Sequence, residues 1–192
     1  MKRLIVWLAL FALALAVLIA AAALATARPA DPALYPAPAA GGGAEVYVLH
    51  GRWTAALILP TQAMAPTATG PAWTRISCDL RRPGAFALDS ADKPLQGEVG
   101  AVRLSLSAQG ATRLARRLEA SFGGRQRRIA PSVFASPDKL LKARLCGAWL
   151  GELLNAAGVP TTPLLDVVPA GLSQDLVWRA GAVKLDRPGR RR

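Results

Sequence analysis

Glu45-Val46-Tyr47-Val48-Leu49-His50-Gly51-Arg52-Trp53-Thr54-Ala55-Ala56-Leu57-Ile58-Leu59 is the stretch that decides the fold. Glu45–Leu49 and Thr54–Leu59 are short runs of β-branched and apolar residues. They flank His50-Gly51-Arg52-Trp53, a sequence suited to a tight turn, so the stretch predicts two antiparallel strands. Downstream, Gly84–Leu88 is expected as another strand. In Val99–Leu106, Val99, Ala101, Val102, Leu104 and Leu106 stand against Gly100, Arg103 and Ser105, the pattern of a half-buried strand. Ser107 then occupies an N-cap position. Ala111, Leu114, Ala115, Leu118 and Phe122 recur at helical spacing, with Arg113, Arg116 and Arg117 on the other face, until Gly123-Gly124 ends the helix.

The intervening segments carry weaker patterns. Thr61–Pro71 and the basic stretch Gly124–Asp138 are expected as loops. A second helix is predicted from Leu140 or Leu141 to about Ala157, with Leu145, Trp149 and Leu153 on one stripe and Gly158-Val159-Pro160 as its stop. Thr161–Arg192 is punctuated by Gly and Pro and is expected as a loop-rich wrap that frays at Arg187–Arg192. A series of strands followed by two helices predicts an α+β domain, an antiparallel sheet with two packed helices.

Ahead of this domain, Met1-Lys2-Arg3 precedes an uninterrupted apolar run, Leu4–Ala25. The run is long enough to cross a bilayer as one transmembrane helix and longer than the roughly 7–15 residues of a signal-peptide core. Lys2 and Arg3 hold the N-terminus in the cytoplasm, so the domain is expected to face the periplasm from the inner membrane. Ala25-Thr26-Ala27 has cleavage-site spacing, and secretion to the periplasm after signal cleavage is the alternative. Expected boundaries are therefore 1–27 for the anchor or signal peptide, 28–43 for a Pro/Ala/Gly linker, 44–180 for the domain and 181–192 for a basic tail.

The chain has 192 residues and a net charge of +12, almost all the excess being Arg. The clusters at Arg81-Arg82, Arg116-Arg117, Arg127-Arg128 and Arg190–Arg192 are read as solvated surface cations. No nucleic-acid motif accompanies them, and the membrane segment removes the chain from the chromosome, so nucleic acid is not expected as a partner. Anionic lipid remains a candidate for the Arg-rich tail. Cys78 and Cys146 fit no metal spacing, and no cofactor is expected. In an exported domain the two cysteines allow one disulfide, which competes with a free thiol at Cys146. Cys146 and His50, the chain's single histidine, are distant in sequence. Brought together, they would be the minimum parts of a thiol hydrolase.

Three segments in order also carry a resemblance. Val46-Tyr47-Val48 through Thr54, with Ala56-Leu57-Ile58-Leu59-Pro60, resembles the opening strand pair of a bacterial family first noted beside urease gene clusters. Val99–Ser107, followed by Leu114 and Leu118-Glu119-Ala120-Ser121-Phe122, resembles its middle strand and helix. Leu145-Cys146-Gly147-Ala148-Trp149, with Leu153–Pro160, resembles its Thr-Cys-Asn-x-Trp helix. The correspondence spans most of Ala44–Gln174. The family's layout is similar to circularly permuted NlpC-type papain-like hydrolases, which cut amide or ester bonds in cell-wall peptides or lipids. The resemblance therefore implies a permuted papain-like scaffold, Cys146 as nucleophile, and a cell-wall peptide or acyl ester as substrate.

The chain departs from that pattern at the chemistry. The family's Gly-Trp-His-Thr turn reads Gly51-Arg52-Trp53-Thr54, so Trp53 stands where the base belongs and His50 lies three residues earlier. Gly147 replaces the Asn after Cys, and a Gly-Trp-Gly-Asp stretch is not recognisable around Cys78–Phe86. Asp79, Asp89 and Asp166 could each orient a base, and nothing in the sequence selects one. The expectation is a membrane-anchored cell-envelope domain on a catalytically degenerate papain-like scaffold, with a binding or structural role. The alternative is an active thiol hydrolase or acyltransferase using Cys146 and His50.

Overall fold

The computed structural model describes residues 2–35, 43–64, 73–91, 100–122 and 127–185. In chain order the elements are α1 (Lys2–Thr26), β1 (Ala44–His50), β2 (Thr54–Pro60), α2 (Thr61–Met64), β3 (Trp73–Asp79), β4 (Ala85–Ala91), β5 (Ala101–Leu106) and α3 (Ala108–Phe122). They continue with β6 (Arg127–Ala130), β7 (Val133–Ala135), α4 (Lys139–Lys142), α5 (Cys146–Ala156), α6 (Pro163–Asp166), α7 (Pro169–Arg179) and β8 (Val183–Leu185). The fold is α+β. One eight-stranded antiparallel sheet runs β6-β7-β4-β3-β2-β1-β5-β8, and an apolar helix precedes it.

The hairpin β1–β2 pairs Tyr47 with Ile58 and His50 with Ala55. Its alternation sorts side chains to two faces. Val46, Val48, Ala55, Leu57 and Leu59 enter the main core, while Tyr47, Leu49, Ala56 and Ile58 form a smaller cluster with Ala101. Over the main face lie α3, α5 and α7, which contribute Leu114, Leu118, Trp149, Leu153, Leu172 and Leu176, all buried. The Ser107 cap forms as expected, its Oγ accepting from Gly110 N at 3.0 Å. At the end of α5, Gly158 takes a left-handed φ of 89° and stops the helix.

Several expected elements differ. Among the described residues the sheet has eight strands where four were expected (β1, β2, β4 and β5), and three helices rather than two cover its main face. In β3, Ile76 and Cys78 turn into the core while Arg75, Ser77 and Asp79 alternate with them. The expected 124–138 loop contains the hairpin β6–β7. The 161–192 wrap contains α7, started by Pro169 at its first turn, and β8. The helix expected from Leu140 to Ala157 is broken at Arg144, whose φ is 62°.

The linker expected over 28–43 is packed against the domain in its first part. Leu34 and Tyr35 are buried, Asp31 N donates to Gly158 O at 2.9 Å, and the Tyr35 hydroxyl donates to Ala180 O. Apolar side chains inside a Pro/Ala-rich stretch are enough to bind it to a core. The rest of that linker, most of the 61–71 loop, Gly123-Gly124 and the tail from 186 onward lie outside the described residues.

Candidate functional site

Cys146 is the first residue of α5. The chain reaches it through α4, a C-cap at Ala143 and the left-handed Arg144. That break puts the sulfur at a helix N-terminus, where backbone N–H groups favour a thiolate. The thiol is not free, however: Cys146 is bonded to Cys78 of β3, with Cα atoms 5.8 Å apart and both residues buried. A disulfide sulfur does not ionise and does not act as a nucleophile toward an acyl group. The bond instead staples α5 to the middle of the sheet.

His50 ends β1. It pairs with Ala55, which pairs in turn with Cys78 on β3. At the usual strand spacing, the one intervening strand, β2, sets its backbone roughly 10 Å from that of Cys78. The ring lies over Gly100, which leads into β5 on the other side of β1. His50 N also donates to Gly100 O at 3.1 Å. Gly100 has a φ of 90° and no Cβ, and a Cβ there would collide with the imidazole. Burial holds the His50 pKa below its ordinary value, so the imidazole is neutral near pH 7. The structure thus places His50 at the end of β1 and Cys146 at the head of α5, with the imidazole over Gly100 and the sulfur in a covalent bond.

Trp53, at the position of the expected His, lies in the turn between β1 and β2. Its ring is half exposed beneath the Arg52 guanidinium at 5.3 Å. Trp149 is fully buried against Phe86, with centroids 6.2 Å apart. Of the three candidate acids, Asp79 is held by Arg81, whose guanidinium donates to it at 2.9 Å and lowers its pKa. Asp89 lies on β4, opposite Arg75 of β3. Asp166 is buried at the end of α6.

Asp166 is the unusual group. Its backbone carbonyl abuts Gly147 and its carboxyl abuts Gly151, and a Cβ on either glycine would collide with it. The two glycines, one turn apart, let α6 lie directly on α5. Gly147 therefore has a packing reason. Burial pushes the Asp166 pKa up to about 8, helped by the charge of Asp175 and opposed by Arg28 and Arg179. Asp175, itself fully buried, accepts from Thr162 N at 2.7 Å and from Thr162 Oγ1 at 2.9 Å. Arg179 donates to Thr161 O at 2.8 Å and Thr162 Oγ1 at 2.7 Å. Sequence reading named Asp166 and missed its surroundings, because Gly147 and Gly151 come from α5 and Asp175 and Arg179 from α7.

A shallow cleft of about 270 Å³ opens beside the disulfide, lined by Thr54, Cys78, Asp79, Arg82, Phe86 and Val133 among others. It offers one carboxylate and one guanidinium around an apolar floor. Among the described residues, no group of three or more His, Cys, Asp or Glu is close enough to hold a metal ion. Comparison with protein-family models, with curated proteins and with solved structures finds no match to this chain.

Proposed function

We propose that this chain is a membrane-anchored cell-envelope domain on a degenerate permuted papain-like scaffold, with a binding or structural role in place of catalysis. The observation that carries this reading is the Cys78–Cys146 bond. It consumes the sulfur a papain-like site would need, and it belongs to an oxidising compartment such as the periplasm. Two further observations support it. Trp53 stands where the resemblance puts the base, and α1 is apolar from Leu4 to Ala25, with Lys2 and Arg3 at its head for retention on the cytoplasmic side of the inner membrane. The cleft beside the disulfide, with Asp79 and Arg82 at its rim, is the surface available for a cell-wall peptide or acyl ester.

One observation favours the competing reading, an active thiol hydrolase or acyltransferase using Cys146 and His50. Once reduced, Cys146 would stand at the first position of an eleven-residue helix. Both readings are tested by the alkylation rate of Cys146 against pH in the full chain carrying Cys78→Ser, with and without His50→Ala. The degenerate scaffold predicts a thiol whose dependence of alkylation rate on pH is unchanged by loss of His50. A thiol reactive below neutral pH whose profile moves with His50→Ala would replace it with the hydrolase.

A further inference from the structure

From Arg3 to Ala22 every residue of α1 is exposed, and the helix meets the domain only at its C-terminal end, where Ala23, Ala27 and Arg28 are half-buried. That end packs against α6. Two residues beyond it the chain is clamped. Arg28 N donates to Thr161 O at 2.8 Å, Thr161 N donates to Arg28 O at 3.2 Å, and Arg179 Nη2 donates to Arg28 O at 3.1 Å. The connection between span and domain is therefore short and hydrogen-bonded.

The apolar span Arg3–Thr26 has 24 residues. At the helical rise it is about 36 Å long, against a hydrocarbon thickness of about 30 Å. Its C-terminal end then lies at headgroup level, and so does α6. Apolar side chains are exposed on α6, on the residues that follow it and on the contacting α7. Leu164 is 40% exposed, Val167 37%, Val168 55% and Trp178 71%. Trp178 immediately precedes Arg179, the residue that holds Arg28. Three aliphatic side chains and a tryptophan exposed on α6, just after it and on the contacting helix α7, with two arginines at the joint, are the chemistry of a bilayer interface. The aliphatics enter the acyl boundary, the indole sits among the headgroups, and the cations lie near phosphate.

We propose that α6, Val167, Val168 and Trp178 form a lipid-facing foot that seats the domain on the bilayer, at the leaflet where α1 ends. The occupant of this apolar surface is phospholipid, because the span that fixes its depth is continuous with it. The proposal rests on reading α1 as an uncleaved span, and two tryptophans separate the two ideas. Trp7 reports on α1 and Trp178 reports on the foot.

The full chain is reconstituted in nanodiscs of phospholipid brominated either near the headgroup or near the bilayer centre. Emission is compared among the unaltered protein, Trp7→Phe and Trp178→Phe, and the differences isolate each indole. The foot predicts that Trp178 loses most of its emission to shallow bromine and is shielded from aqueous iodide. Leu164→Ser with Val168→Ser should restore iodide access at an unchanged melting temperature, since both residues are exposed. Quenching of Trp178 by iodide and not by lipid, with Trp7 quenched by lipid, would overturn the foot and leave the span intact. Shielding of Trp178 from both quenchers would assign the surface to a second copy of the chain and overturn the proposal. Absence of lipid quenching at Trp7 would remove the span and the foot with it.

Discussion

Gly147 and Asp166 together give the residue after Cys146 a packing reason to be glycine. A side chain at 147 would strike the carbonyl of Asp166, so Gly147→Ala must push α6 off α5. A cost of about 1–3 kcal/mol is expected, read as a lower urea midpoint at constant slope. Asp166 also makes stability depend on pH. In the unfolded chain it ionises near its ordinary value of 3.8, whereas in the fold it keeps its proton to about pH 8. Between those values the unfolded state binds fewer protons, so stability falls as pH rises through that window and levels off above it. Asp166→Asn should flatten this slope and leave the variant more stable than the parent at alkaline pH. Urea midpoints from about pH 5 to about pH 9 measure it. Asp166 was legible as a candidate acid in the sequence. Its environment was not, because Gly147, Gly151 and Asp175 come from two other helices.

At the scale of elements, the break between α4 and α5 and the cross-link that follows it organise the helical layer. Asp138 caps α4 by accepting from Leu140 N at 3.0 Å, and Arg117 of α3 reaches both Asp138 at 3.2 Å and Glu152 of α5 at 3.1 Å. The helix over 140–157 reads as continuous in sequence because neither Gly nor Pro marks Arg144. The left-handed turn there is imposed by tertiary packing, with α5 starting at the cysteine joined to β3. β3 and α7 did carry local signals. Thr74, Ile76 and Cys78 alternate with Arg75, Ser77 and Asp79, and Pro169 precedes Leu172 and Leu176 at helical spacing. The disulfide closes a loop over a separation of 68 residues, and replacing both cysteines by Ala should cost about 4 kcal/mol in the urea-unfolding free energy. In α3, Leu118 is fully buried among the sheet-facing residues, and Leu118→Ala should cost about 2–5 kcal/mol by the same measurement.

At the scale of the whole molecule, the arginine excess is spread over the fold. Arg81 pairs with Asp79, Arg103 with Glu45, Arg113 with Asp31, and Arg117 with Asp138 and Glu152. Arg179 has a different role, joining the foot of α1 to the domain through carbonyls of Arg28 and Thr161. Arg179→Ala should loosen that joint while the sheet stays intact. The expected result is faster amide exchange at Arg28 and Thr161, with exchange in β1 and β2 unchanged. The sequence by itself determined the apolar span, the β1–β2 hairpin, the capped amphipathic α3 and the α+β class. Those features are written in local periodicity, caps and length, which act over neighbouring residues. The tertiary structure alone decided the eight-strand order, the pairing of Cys146 with Cys78, the seat of His50 over Gly100 and the burial of Asp166. Each of these depends on which distant segments meet, and that is set by packing a single core with close-fitting shapes rather than by any local pattern.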